Sequence, residues 1–148
     1  MNRDQILSLR TTVQQFIRLF GVLEQTVTPC GFSMSLSQVF ALQELENRSM
    51  SIKDLAEELR LERSSVSRLV DGLVKGGFVL RELNEQNRRE VILCLTEKGE
   101  RTMNRLREQS IEFYESILNH LSETSQEKVL EGYQLFTESL VKLRRGVQ

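Results

Sequence analysis

SIKDLAEELRLERSSVSRLVDGLVKGGFVLRELNEQNRREVILCLTEKG, residues 51 to 99, holds the pattern from which the fold follows. Ser51 is a good N-cap, and Asp54 sits where the helix dipole favours negative charge. Ile52, Leu55, Ala56 and Leu59 give the short helix after it one apolar side. That helix closes near Arg60, and only Leu61 and Glu62 separate it from the next. So tight a join makes two helices cross steeply, and residues 51–76 read as a helix-turn-helix.

In the second helix Val66, Leu69, Val70 and Leu73 share one face. At about 100° per residue, Ser64, Arg68, Asp71 and Lys75 fall roughly opposite, flanked by Ser67. Small hydroxyls at the leading end and a long cation one turn later suit a helix entering a DNA major groove. A solvated helix with a mixed polar face has the same composition. Gly76-Gly77 ends the helix. Phe78–Leu83 and Val91–Leu95 then read as strands joined by the polar loop 84–90, so residues 78–95 form a hairpin wing. Its adjacent Arg88 and Arg89 suit a narrow minor groove of strongly negative potential, although a charged turn also disfavours edge pairing. Turn, polar helix face, hairpin and arginine tip together are much more specific than any one part.

Long helices flank this centre. Ile6, Leu9, Val13, Phe16, Phe20, Leu23 and Val27 alternate steps of three and four until Thr28-Pro29-Cys30-Gly31 stops the run. A second helix is expected from Ser35 to Glu46. Thr96 can cap a long connecting helix, 96–121, and a last helix, 122–145, begins near Ser122 or Thr124, where Thr124 to Glu127 fits a capping box. Val129, Tyr133, Phe136, Leu140 and Leu143 form its apolar stripe. One short centre offers few surfaces to cover both stripes, so helices 1–28 and 122–145 are expected to pair between two subunits; an intramolecular bundle is the alternative. The expected fold is therefore mainly α with a small β-hairpin wing: one domain, 1–148, with a winged helix-turn-helix between N- and C-terminal dimerisation helices.

The centre resembles the MarR-type (multiple antibiotic resistance regulator) transcriptional regulators. The resemblance rests on Ser51-Ile52-Lys53-Asp54-Leu55-Ala56, on Ser65 through Leu73, on Gly77-Phe78-Val79, on Arg88-Arg89 and on Leu93 through Gly99. It covers about a third of the chain. It implies a homodimer gripping a palindromic operator in double-stranded DNA, more often as a repressor. It also implies Arg63, Ser64, Ser65, Ser67 and Arg68 on the DNA side, where the helix face already sets Lys75, Ser51 near the phosphates, and Arg89 in the minor groove. Where the family wing shows Asp-x-Arg, this chain has Asn87-Arg88-Arg89, so an amide replaces the orienting carboxylate. Glu62 stands where a better N-cap is usual. Release by a small aromatic effector is a further implication, with Phe16, Phe20, Phe32, Met34 and Phe40 as candidate contacts. The thiol-sensing branch carries a cysteine in its first helix, and this chain's first helix has none.

Composition narrows the alternatives. Residues 60–89 hold seven basic and four acidic side chains, while the 148-residue chain carries −1 overall, a basic segment in an acidic frame. Cys30 and Cys94 lie far apart and His120 is the one histidine, so no metal set, cofactor or catalytic acid, base and nucleophile is expected. No apolar run approaches the ~20 residues that span a bilayer, and the N-terminus opens no signal peptide, so a cytoplasmic chain without membrane contact is expected. The competing function is a winged-helix protein-interaction module without DNA binding.

Overall fold

The computed structural model describes residues 1–21, 33–87 and 89–145. In chain order they form α1 (Arg3–Leu19), α2 (Leu36–Asn47), β1 (Met50–Ser51), α3 (Ile52–Leu59), α4 (Arg63–Lys75), β2 (Val79–Leu83), β3 (Val91–Leu95), α5 (Glu97–Leu118) and α6 (Glu123–Arg145). The fold is mainly helical with a small antiparallel sheet, as the sequence leads one to expect. Two compact units divide the chain, residues 1–109 and 110–148, with the boundary inside α5.

Within the first unit, α2, α3, α4 and the sheet close around one core. Leu42, Leu55, Val66, Val70, Leu73, Val79 and Leu93 are fully buried there, each contributing about 1.5–3 kcal/mol. Met103 and Leu106 of α5 are buried as well. The hairpin pairs Val79 with Leu95 and Leu83 with Val91. A third strand, absent from the sequence reading, adds Met50 and Ser51 opposite Leu93 and Ile92, giving the order β1-β3-β2. Two residues are too short a run for alternation to reveal.

One helix end departs from expectation, and another is decided between two alternatives. The first helix, expected to run to Thr28, ends at Leu19, and Gly21 takes φ +74°. Leu23, Val27 and the Pro29 stop lie outside the described residues. At α6, of the two starts the sequence offers, the cap is Ser122, whose hydroxyl accepts from the Ser125 N–H, and Thr124 falls inside the first turn.

Both helices of the helix-turn-helix end in the same way. At α3, Leu61 N–H bonds Ala56 O and Arg60 N–H bonds Glu57 O, with Arg60 left-handed at φ 54°. At α4, Phe78 N–H bonds Leu73 O and Gly77 N–H bonds Val74 O, with Gly77 at φ +76°. These are Schellman closures, which favour glycine at the left-handed position. Gly77 meets that preference, and Arg60 holds the geometry against the crowding of its own Cβ.

The chain then turns back on itself. Thr96 N–H bonds Phe78 O at 3.0 Å, and the Thr96 hydroxyl accepts from Gly99 N–H at 3.0 Å, capping α5. A Cβ at Gly99 would lie 2.3 Å from Phe78 O, so only glycine allows this approach. Gly99→Ala is expected to lower the unfolding free energy by about 2–3 kcal/mol, because the blocking atom is backbone. Arg60→Gly is expected to raise it by about 0.5–1 kcal/mol, the steric relief exceeding the added freedom of the unfolded chain. Urea titrations of the two variants, read as shifts of opposite sign, check both expectations.

Candidate nucleic-acid interface

The outward face of α4 carries the expected side chains. Arg63, Ser64, Ser65 and Arg68 are exposed, Ser67 is half-buried, and Lys75 is exposed in the last turn. Glu62 occupies the N-cap position without a side-chain capping bond, as expected of a side chain one methylene longer than the favoured Asp. Its carbonyl accepts from Ser65 and Val66, so the N–H groups of Arg63 and Ser64 stand ahead of the intrahelical ladder. Beside this turn a depression of about 300 Å³ is lined by Lys53, Ala56, Glu57, Leu61, Glu62 and Arg63.

The charge pattern is sharper than the sequence tally. Asp71, the one acid on the outward face of α4, receives a hydrogen bond from the Arg81 guanidinium of β2. Arg81 therefore cancels a charge that would repel phosphate, and it fastens the wing to the helix. Arg63, Arg68, Lys75 and Arg89 enter no ion pair among the described residues. What remains is a row of unneutralised cations with its acid already paired. Ten residues separate Asp71 from Arg81, a distance that no helical or strand period connects.

Ser51 requires a correction. It is buried in β1, its hydroxyl donates to Asp54 Oδ2 at 2.9 Å, and its oxygen accepts from Asp54 N–H at 3.1 Å. A hydroxyl committed to the cap is not free for phosphate, so Ser51 shapes the start of α3.

At the wing tip, Asn87 Oδ1 accepts from the backbone N–H of Arg89 at 3.3 Å, and Asn84 Oδ1 from that of Gln86 at 3.0 Å. Asn87 thus orients the Arg89 backbone. Asn84 Nδ2 closes the loop by donating to Glu90 Oε2 at 2.9 Å. Arg89 is exposed, and Arg88 lies outside the described residues.

Of the aromatic set expected to contact an effector, Phe16, Phe20, Met34 and Phe40 fall among the described residues. Met34 is buried in the core of the winged unit, Phe40 is 48% exposed on α2, and Phe16 and Phe20 stack on each other at 4.9 Å. Phe32 lies outside the described residues, and none of the set lines the 300 Å³ depression. Cys94 is a free thiol on β3 with Sγ 3.7 Å from Glu82 Oε2, and Cys30 is among the residues not described.

The expected dimerisation residues are largely solvent-facing within the chain. Ile6 and Leu9 are exposed and Val13 half-buried on α1. Val129, Tyr133, Phe136, Leu140 and Leu143 on α6 are between 38% and 65% exposed. Partial burial pushes the Tyr133 phenol above its ordinary range. No helix among the described residues is long and apolar enough to cross a membrane, and no group of three or more potential metal ligands occurs among them.

Two helices joined by a three-residue turn, an antiparallel hairpin after them and cations on the outward helix face define a winged helix-turn-helix protein. The MarR family model matches residues 34–91. An uncharacterised HTH-type transcriptional regulator of Bacillus subtilis, YfiV, is 30% identical over 113 residues, covering 76% of this chain and 71% of that protein. The chain belongs to the MarR family of transcriptional regulators. Among solved structures, a MarR family protein from Bacillus stearothermophilus superposes with a TM-score of 0.77 at 21% identity, covering 95% of this chain and 99% of that one. Streptococcus pneumoniae FabT, solved in complex with DNA, has a TM-score of 0.72 at 19% identity, covering 96% and 99%. At such identities these two likenesses establish the fold.

Replacing the poor cap supplies a test of the local geometry. Glu62→Ser is expected to stabilise the chain by about 0.5–1 kcal/mol, as a hydroxyl takes up an N–H of the first turn of α4. A rise in thermal midpoint, with slower amide exchange over residues 63–66, checks it.

Proposed function

We propose that this regulator acts as a homodimer on a palindromic operator, with α4 in the major groove and the wing over the adjacent minor groove. The observation that carries this reading is the charge arrangement on α4: Arg63, Arg68 and Lys75 unneutralised, and Asp71 paired with Arg81. Ser64, Ser65 and Ser67 add donors and acceptors for base edges at the leading end, and Arg89 supplies the wing cation. The likeness to FabT, which was solved with DNA, supports the same use of the fold.

The exposed apolar stripes of α1 and α6 supply the homodimer surface, spanning 1–28 and 122–145 in the sequence. Two-fold symmetry then sets half-sites about 34 Å apart, one turn of DNA. Occupation of an operator that overlaps a promoter makes the protein a repressor working in the cytoplasm. Release by a small aromatic effector completes the reading, and the Phe16–Phe20 stack and the exposed Phe40 are the apolar surfaces that favour it.

The deciding experiment selects bound fragments from the source genome and titrates them by fluorescence anisotropy. Light scattering on the same sample measures the subunit number. A monomer, or a protein that binds no duplex in a salt-dependent way, overturns the reading. Arg68→Ala is expected to cost about 1–3 kcal/mol on the selected duplex if it reads a base edge. Arg89→Ala is expected to weaken binding and reduce the slope of log affinity against log salt by about one.

A further inference from the structure

The first turn of α5 grips the far end of the helix proposed to read DNA. Lys98 Nζ donates to Gly76 O at 2.6 Å and sits 4.5 Å from the centre of the Phe78 ring. Its Cδ lies 3.7 Å from where a Cβ would stand on Gly77. One side chain thus touches three consecutive residues at the close of α4. Thr96 adds a bond from its hydroxyl to Gly77 O at 2.6 Å. The two carbonyls that follow the last turn of α4 are both taken up by α5, and the ammonium lies where a helix favours positive charge.

The opposite end of α4 has no side-chain cap, and it carries Arg63, Ser64 and Ser65. The core holds the inner face of α4 through Val66, Val70 and Leu73, the bonds from Lys98 and Thr96 fix its C-terminal end, and the side chains proposed to read DNA stand on its N-terminal half. Thirteen residues span about 20 Å, so a tilt of about 3° at the fastened end moves the leading serines by about 1 Å. Hydrogen bonds to base edges lose their geometry over a few tenths of an ångström. Whatever fixes the angle at Gly76 fixes the aim of the serines.

We propose that Lys98 is a positioning residue for sequence-specific DNA recognition, acting through the C-terminus of α4 without contacting the nucleic acid. The proposal rests on the DNA-binding reading above. It predicts a separation that a phosphate contact cannot produce. Loss of the ammonium weakens the selected sequence, where aim matters, and leaves sequence-independent binding and its salt dependence intact.

The test compares the full-length chain with Lys98→Met, which keeps the apolar stem over Phe78, and with Lys98→Arg, which restores a cationic donor. Each is titrated by anisotropy against the selected duplex and a scrambled duplex of equal length over a series of salt concentrations. Amide exchange over residues 73–78 is measured without DNA. The expected result for Lys98→Met is a loss of about tenfold on the selected duplex, the size of one weakened base contact. Binding to the scrambled duplex and the salt slope stay unchanged, exchange at Gly77 and Phe78 quickens, and Lys98→Arg recovers most of the loss. Three results overturn the proposal: wild-type affinity in Lys98→Met, equal loss on both duplexes, or a salt slope smaller by about one, which marks a direct phosphate contact. If the unsubstituted chain binds neither duplex, the DNA-binding reading fails first and takes the proposal with it. Binding by the wild type with an indifferent Lys98→Met sinks the proposal alone.

Discussion

One backbone carbonyl, that of Phe78, ties the winged unit together. It accepts from Thr96 N–H, and it lies so close to Gly99 that a methyl there would overlap it. Phe78 is the last residue of the Schellman closure of α4, and Thr96 is the first beyond β3. Their bond joins the two ends of the hairpin where α4, the sheet and the start of α5 converge. The tolerance at this point is set by backbone atoms, which shift far less readily than side chains. The wing inherits its root position, and α4 its terminal direction, from that one approach.

Electrostatics then complete what the backbone sets. Asp71 and Arg81 remove the acid from the outward face of α4 and hold β2 against it. The partners are 37% and 61% exposed at Arg81 and Asp71, so the pair adds little to stability, and its value lies in orientation and in the field it leaves. The remaining cations project from a helix and from a hairpin tip, two elements whose relation is fixed at Phe78 and again at Arg81. Binding surfaces gain precision when they stand on elements held in this way.

The architecture was legible in the sequence wherever a period or a turn residue expressed it. Val66, Leu69, Val70 and Leu73 marked the inner face of α4, Gly76-Gly77 its end, and the alternation of polar loop and apolar runs the wing. Features joined only in space were not legible. The two-residue strand β1, the Asp71–Arg81 pair and the grip of Lys98 on Gly76 link positions by tertiary proximity, with no repeat to announce them. Ser51 was read for its hydroxyl, but burial and Asp54 claimed it.

The uncapped start of α4 has a consequence for how affinity arises. With Glu62 at the cap, no side chain closes the first turn, and the N–H groups of Arg63 and Ser64 stand ahead of the intrahelical ladder. A phosphate oxygen set at that end would supply the acceptor the sequence leaves out. DNA would then serve as the closing residue of a secondary-structure element, and part of the binding free energy would be helix formation deferred until the partner arrives. A regulator built on this plan keeps its reading end incomplete, so that the molecule it reads is also the one that finishes it.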